Sequence, residues 1–348
     1  MRELFATFGL PELVAAIIVL ALNAYVVMGG ADFGGGVWDL LATGPRRESQ
    51  RALIASSIGP VWEANHVWLI VVVVMVFTAF PVAFDVLGTL LHIPLTLMLI
   101  GIVMRGSAFV FRSYGSRAPA TRNRWGVAFA IASLVTPVVL GMVIGAIASE
   151  KIADAMGTLG RGEGSFHEIY IKPWLGVFPL AVGVFALALF AFLAAVYLTI
   201  EARDEPLRED FRKRALAAAA AVFISAGVAL LVAQREAPRV AAGVSSAPWS
   251  MTLHLCTAAA AITAIVTLWQ RAFRVARVAA VAQVSLILWG WALSQYPYIL
   301  PTRLTIADAA APPITLRLLL IGLGVGSAIL IPSLRYLFKT FAGRAADL

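Results

Sequence analysis

Long apolar runs separated by short polar gaps dominate the chain. They cover roughly 13–41, 53–80, 84–111, 125–148, 174–200, 215–234, 249–269, 276–295 and 316–338. Runs of this kind approach the roughly 20 residues an α-helix needs to cross the hydrocarbon core of a bilayer. A membrane barrel would show shorter segments of alternating polarity instead. The pattern predicts an all-α polytopic membrane protein of about nine transmembrane helices. The acidic and basic stretch 201–214 reads as a charged cytoplasmic linker between an N-terminal helical bundle, 1–200, and a C-terminal one, 215–348. Two four-helix bundles plus one peripheral helix are the expected packing, and no sequence repeat relates the halves. Gly30-xxx-Gly34, Gly141-xxx-Gly145 and Gly322-x-Gly324-x-Gly326 predict close helix contacts. The last lies in an apolar helix with no preceding strand, which argues against a dinucleotide loop. Trp125, Trp174 and Trp249 stand at span ends, as interfacial anchors do. The gap 296–315, opening Tyr296-Pro297-Tyr298-Ile299-Leu300-Pro301, is too proline-rich to be helical throughout.

Composition agrees with the pattern. The 348 residues are 61% hydrophobic and 13% charged, against about 25% charged in a soluble domain, and the mean hydropathy is +0.88. The formal net charge of +8 does not indicate a nucleic-acid partner. The arginines fall in the gaps after spans one, three, five and seven, as topology control requires. This bias places the N-terminus outside and the C-terminus in the cytoplasm. Cys256, the one cysteine, excludes an intrachain disulfide and a thiolate cluster. The first apolar run lacks a small-residue cleavage site and is expected to be retained.

Chemistry is concentrated where polar residues enter these runs. Gly59-Pro60-Val61-Trp62-Glu63-Ala64-Asn65-His66-Val67-Trp68 puts a carboxylate, an amide and an imidazole near the start of span two. An ionised side chain in a membrane interior costs at least about 2.5 kcal/mol, so such a residue is a functional candidate. With span two read as one helix from Leu53, Glu63 lies about 15 Å deep; Asp32 in span one lies about 14 Å and Arg105 in span three about 9 Å from the same side. His66 follows Glu63 by one helical turn. Asn65, Trp62 and Trp68 complete a polar path with aromatic walls. Glu63, Asp32, His66 and Arg105 are therefore the candidate proton pathway, the competing reading being that Arg105 neutralises Glu63 or Asp32 only to let helices pack. His92 and His254 are expected to make helix hydrogen bonds rather than ligate haem iron, and Asp39 and Asp85 to be solvated or capping. No metal site is expected, because Asp154, Glu163 and Glu168 lack the density of a carboxylate loop. A secondary transporter with a midplane polar site is the alternative reading, but Gly59-Pro60 has no counterpart in the other half.

The chain resembles subunit II of the cytochrome bd-type quinol oxidases, including the cyanide-insensitive branch. The resemblance rests on Gly30-Ala31-Asp32-Phe33-Gly34, the 59–68 segment, Phe80-Pro81, His92-Ile93-Pro94-Leu95, Arg105-Gly106 through Phe111-Arg112, Phe190-Ala191 through Tyr197-Leu198, and 296–301. It implies a subunit of a quinol:oxygen oxidoreductase in a prokaryotic cytoplasmic membrane. The haems, haem b with or without haem d, and the quinol-oxidising loop would belong to a larger subunit I, with no catalytic residue in this chain. Quinol and dioxygen would be substrates of the complex; a small single-span subunit and a structural quinone are left open. On the family pattern Glu63 occupies an acidic position, Asp32 the second acid of an Asp-Gly-Phe-Asp type segment, and Arg105 a basic one. Gly29 stands where that segment has its first acid, which weakens any relay needing two carboxylates on span one.

Overall fold

A computed structural model describes residues 9–58, 62–114 and 119–344. The elements in order are α1 (Leu10–Leu40), α2 (Arg47–Ile58), α3 (Trp62–Ala79), α4 (Pro81–Leu90), α5 (His92–Tyr114), α6 (Pro119–Ala148), α7 (Glu150–Gly160), α8 (Phe166–Tyr170), α9 (Val177–Glu201), α10 (Glu205–Glu236), α11 (Pro238–Ser246), α12 (Ser250–Trp269) and α13 (Phe273–Gln295). A small hairpin, β1 (Tyr298–Leu300) and β2 (Leu304–Thr305), leads to α14 (Ile306–Ala309) and α15 (Pro313–Arg344). Among the described residues nine helices are long and apolar enough to cross a membrane: α1, α3, α5, α6, α9, α10, α12, α13 and α15. The chain is an all-α polytopic membrane protein, as the apolar pattern predicts.

Three boundaries differ from the pattern, each for a local reason. The described part of the second apolar run forms α2 and α3. Arg47, Glu48, Gln50 and Arg51 give the first half of α2 the composition of a helix outside the hydrocarbon, and the described span covers Trp62–Ala79. Gly59, Pro60 and Val61 lie outside the described residues. The third run is divided at Leu91 into the short α4, with Pro81 in its first turn, and the spanning α5. The charged stretch 201–214 is helical from Glu205 onward, with Pro206 in the first turn where a missing N–H breaks no intrahelical bond.

α9 is the centre of the molecule. It is apolar on every side, and Leu189 to Val196 are all buried, as expected of a helix surrounded by other helices. It packs against α10, α6 and α1, with a lesser contact to α13. One cluster of buried side chains runs from Leu22, Tyr25 and Phe33 of α1 through α9 to Phe211 and Val222 of α10, Leu268 of α12 and Val284 of α13. Residues on both sides of 201–214 therefore share a core.

Two of the three glycine patterns sit at close contacts. A β-carbon at Gly34 would run into the carbonyl oxygen of Phe190, and one at Gly30 would lie 2.6 Å from the Phe190 ring. Gly141 and Gly145 similarly bring α6 onto the backbone of Gly183 and Pro179 in α9. Among the described residues Gly322, Gly324 and Gly326 meet nothing within 4 Å, so the contact expected of them is not made there. They lie on α15, whose Leu318, Ile321, Val325 and Ile329 are exposed as on a helix in lipid. Trp174 is also unlike an interfacial anchor: it is buried, and its Nε1 donates to the Tyr170 carbonyl at 2.7 Å. After the hairpin the backbone returns to the bundle, Ala311 N donating to Ala79 O at 2.8 Å.

These contacts predict a sharp asymmetry. Overpacking a filled interior costs about 1–3 kcal/mol, and more when backbone must move. Gly34→Val is expected to abolish recovery of folded protein from detergent extracts. Gly324→Val, in open space, is expected to leave the melting temperature of the chain within about 2 °C of wild type, a shift smaller than 1 kcal/mol produces. Size-exclusion yield and thermal denaturation of the two variants check both.

Candidate functional site

The interface of α1, α3, α5 and α6 encloses a polar group in an apolar core. Asp32 is carried by α1, Asn65 and His66 by α3 and Arg105 by α5; Asp32, Asn65 and Arg105 are 5%, 3% and 2% exposed. Asn65 Nδ2 donates to Asp32 Oδ2 at 2.7 Å. Arg105 Nη2 donates to the backbone carbonyl of Asp32 at 2.8 Å. Its guanidinium also lies over the Phe33 ring at 4.7 Å and the Phe129 ring at 5.3 Å, positions in which an aromatic quadrupole attracts a cation. The aromatic pair explains how a cation survives here: the faces of Phe33 and Phe129 and one carbonyl replace part of its lost hydration.

His66 occupies an aromatic box. Its ring centroid is 5.8 Å from those of Tyr25 and Phe33 and 6.1 Å from that of Trp62. Gly106 permits this, because a β-carbon there would lie 2.8 Å from the Trp62 ring. Both His66 ring nitrogens are buried and have no protein partner among the described residues. The same holds for Asn65 Oδ1, Arg105 Nε, Ser133 Oγ and Thr136 Oγ1. Gly36 and Gly101 let the last two hydroxyls approach α1 and α5. Buried polar atoms of this kind are usually served by ordered water.

A second acid–base couple lies on the same helix faces. Arg112 donates to both carboxylate oxygens of Asp39, at 2.8 and 3.0 Å, and Arg51 Nε stands 3.9 Å from Asp39 Oδ1. Asp39 is 2% exposed, so it is neither solvated nor a simple cap. The sequence did carry the signal. Asp32 and Asp39 are two helical turns apart on α1, and Arg105 and Arg112 are two turns apart on α5, so the two couples repeat at one offset. The outer couple is a bidentate ion pair, while the inner one joins guanidinium to backbone.

Glu63 stands apart. It is exposed, in the first turn of α3, and forms no hydrogen bond or ion pair with Asp32, His66 or Arg105 among the described residues. Of the two carboxylate residues that Arg105 was expected to neutralise, its hydrogen bond reaches Asp32, and there only the backbone carbonyl. Trp62 and Trp68 are partly buried against the main core, and Trp62 faces the His66 ring. Tyr25, fully buried beside His66, and Tyr197, whose hydroxyl donates to the Val27 carbonyl at 3.1 Å, were not singled out by sequence because one tyrosine in an apolar run has no pattern. His92 and His254 are exposed, and their Nδ1 atoms lie 2.8 and 2.7 Å from the carbonyls of Thr89 and Ser250. Among the described residues no group of three His, Cys, Asp or Glu side chains could hold a metal ion.

The model of the family described as cytochrome bd terminal oxidase subunit II matches residues 10–341. The chain is 23% identical over 325 residues to a putative cytochrome bd menaquinol oxidase subunit II of Bacillus subtilis, covering 91% of each. It is 24% identical to a cytochrome bd ubiquinol oxidase subunit 2 from the same organism, covering 73% of this chain and 72% of the relative. Its fold superposes on a chain of the bd oxidase of Geobacillus thermodenitrificans with a TM-score of 0.78 at 21% identity, over 96% of this chain and 99% of that one. With the match extending from the first turn of α1 into the last turns of α15, the chain belongs to the cytochrome bd terminal oxidase subunit II family.

Proposed function

We propose that this chain is the haem-free subunit of a membrane quinol oxidase, paired with a larger haem-carrying subunit I, and that it conducts protons from the cytoplasmic side. Family membership supports the oxidase assignment, and the relatives named above are menaquinol and ubiquinol oxidase subunits. The haems of the partner would supply the electron chemistry; this chain's part is to move and hold protons. The observation that carries the reading is the buried Asp32–Asn65–Arg105–His66 group, in which four side-chain polar atoms have no protein partner among the described residues.

Each residue has a distinct part. Glu63, exposed where α3 begins, collects protons at the membrane surface. Asp32 holds one on its carboxyl, oriented by the Asn65 amide. The Arg105 charge offsets the cost of the ionised carboxylate between transfers. His66 can take a proton at one ring nitrogen and release it from the other, and its aromatic box keeps the ring in place. Water at the unpartnered atoms would join these groups. The arginine-rich gaps support an arrangement with the N-terminus outside and the C-terminus inside.

A tag on this chain should copurify a larger subunit and haem absorption bands that change on quinol addition; a colourless preparation without that partner would direct attention to a transporter with a midplane polar site. In the complex, Asp32→Asn is expected to lower oxygen consumption at least about tenfold, a modest share of what a positioned proton-transfer group contributes, with haem content unchanged. Glu63→Gln is expected to slow proton uptake in single-turnover measurements, and full oxygen consumption with normal uptake would remove Glu63 from the path. Arg105→Met should destabilise the complex by about 3–5 kcal/mol, as for loss of one partner of a buried charged group, whereas Arg105→Lys should assemble and work slowly. Thermal denaturation and oxygen-electrode assays separate the two.

A further inference from the structure

Away from this site, a pocket of about 300 Å³ opens between the turn after α1 and the first turns of α10. Exposed Thr43, Arg46 and Lys213 surround its mouth, and buried Gln50 and half-buried Arg214 lie deeper. Its single acid, Asp210, is already satisfied. Arg46 donates to it through Nε and Nη2 at 2.8 and 2.6 Å, and Gln50 Nε2 donates at 2.9 Å. Among the described residues neither of the remaining two cations, Lys213 and Arg214, forms an ion pair, and they feel Glu209 and Asp210 only at longer range.

Arg214 is held rather than loosely solvated. Its Nη2 donates to Gln50 Oε1 at 2.7 Å and to the Leu41 carbonyl at 3.2 Å. Its guanidinium lies over the rings of Phe211 at 5.2 Å and Trp38 at 5.5 Å. Nη1 is buried and has no acceptor. A buried charged donor without an acceptor is costly, and a fixed guanidinium beside an exposed ammonium matches the oxygens of a phosphate group.

We propose that this pocket binds a phosphate group, with Arg214 as the fixed donor and Lys213 as the adjustable one. Two sources share that chemistry, the headgroup of an anionic phospholipid and dissolved phosphate. The pocket sits among the basic gaps that the positive-inside bias assigns to the cytoplasmic surface, where anionic headgroups meet juxtamembrane cations. Gln50 couples the site to the fold by bridging Asp210 and Arg214.

Native mass spectrometry of the purified complex with added phosphatidylglycerol or phosphatidylcholine tests this, alongside melting curves in inorganic phosphate and in chloride of equal ionic strength. Wild type is expected to retain phosphatidylglycerol about tenfold more than phosphatidylcholine, equivalent to about 1.4 kcal/mol, and Lys213→Gln and Arg214→Gln to lose most of that preference. If phosphate raises the wild-type melting temperature but not that of Lys213→Gln, and no lipid preference is seen, the ligand is dissolved phosphate. Should Arg214→Gln fail to assemble, Lys213→Gln decides alone, because the Lys213 ammonium makes no hydrogen bond among the described residues. Equal lipid retention by wild type and Lys213→Gln, with no variant-sensitive phosphate effect, overturns the proposal.

Discussion

A charge enters a membrane interior only where protein groups take over the work of water, and α1 is built around that constraint. One side of the helix carries Asp32 and Asp39, which face the cations of α5. Gly30 and Gly34 lie against Phe190 of α9. Close backbone contact with α9 fixes where α1 sits, and the position of α1 fixes whether Asn65, Arg105 and Arg112 can reach its carboxylates and carbonyls. The acid–base groups and the small-residue packing are thus two consequences of one helix placement.

The two couples divide labour by their chemistry. Asp39 and Arg112 neutralise one another through two parallel hydrogen bonds, the geometry that most firmly fixes a carboxylate and a guanidinium. Asp32 lacks that partner geometry, since the Arg105 bond goes to its backbone carbonyl and only an amide reaches its carboxylate. A carboxyl held by a neutral donor can gain and lose a proton with less rearrangement than one locked in a fork. Under the proposed function, that difference makes Asp32 the member that carries a proton and Asp39 the one that holds the helices together.

Much of the fold was legible in the sequence because length and apolarity alone determine what can cross a bilayer. Asp32, Asn65, His66 and Arg105 were legible for the same reason, each being conspicuous in an apolar run. Glu63 shows where that reasoning stops. Hydropathy counts residues along a run but does not say which side chain faces a neighbouring helix, and Glu63 is exposed while Asn65 two residues on is buried. Asp39 was missed in the opposite direction: nearness to a span end does not reveal a bidentate partner 73 residues on. Glycines were informative only where another helix was there to meet them, as at Gly34 and not at Gly324.

The constant offset between the two aspartates of α1 and the two arginines of α5 also has a meaning in time. At synthesis rates of about 5–20 residues per second, roughly 4–15 s pass between Asp32 leaving the ribosome and Arg105 following it. During that interval the first helix holds Asp32 without Arg105, and Asp39 without Arg112 but with Arg51 already made. Its long apolar run, continuous from Leu13 to Met28 apart from Asn23, must by itself carry those acids into the membrane. The arrival of α5 then turns a helix that is costly to insert into one that is costly to remove.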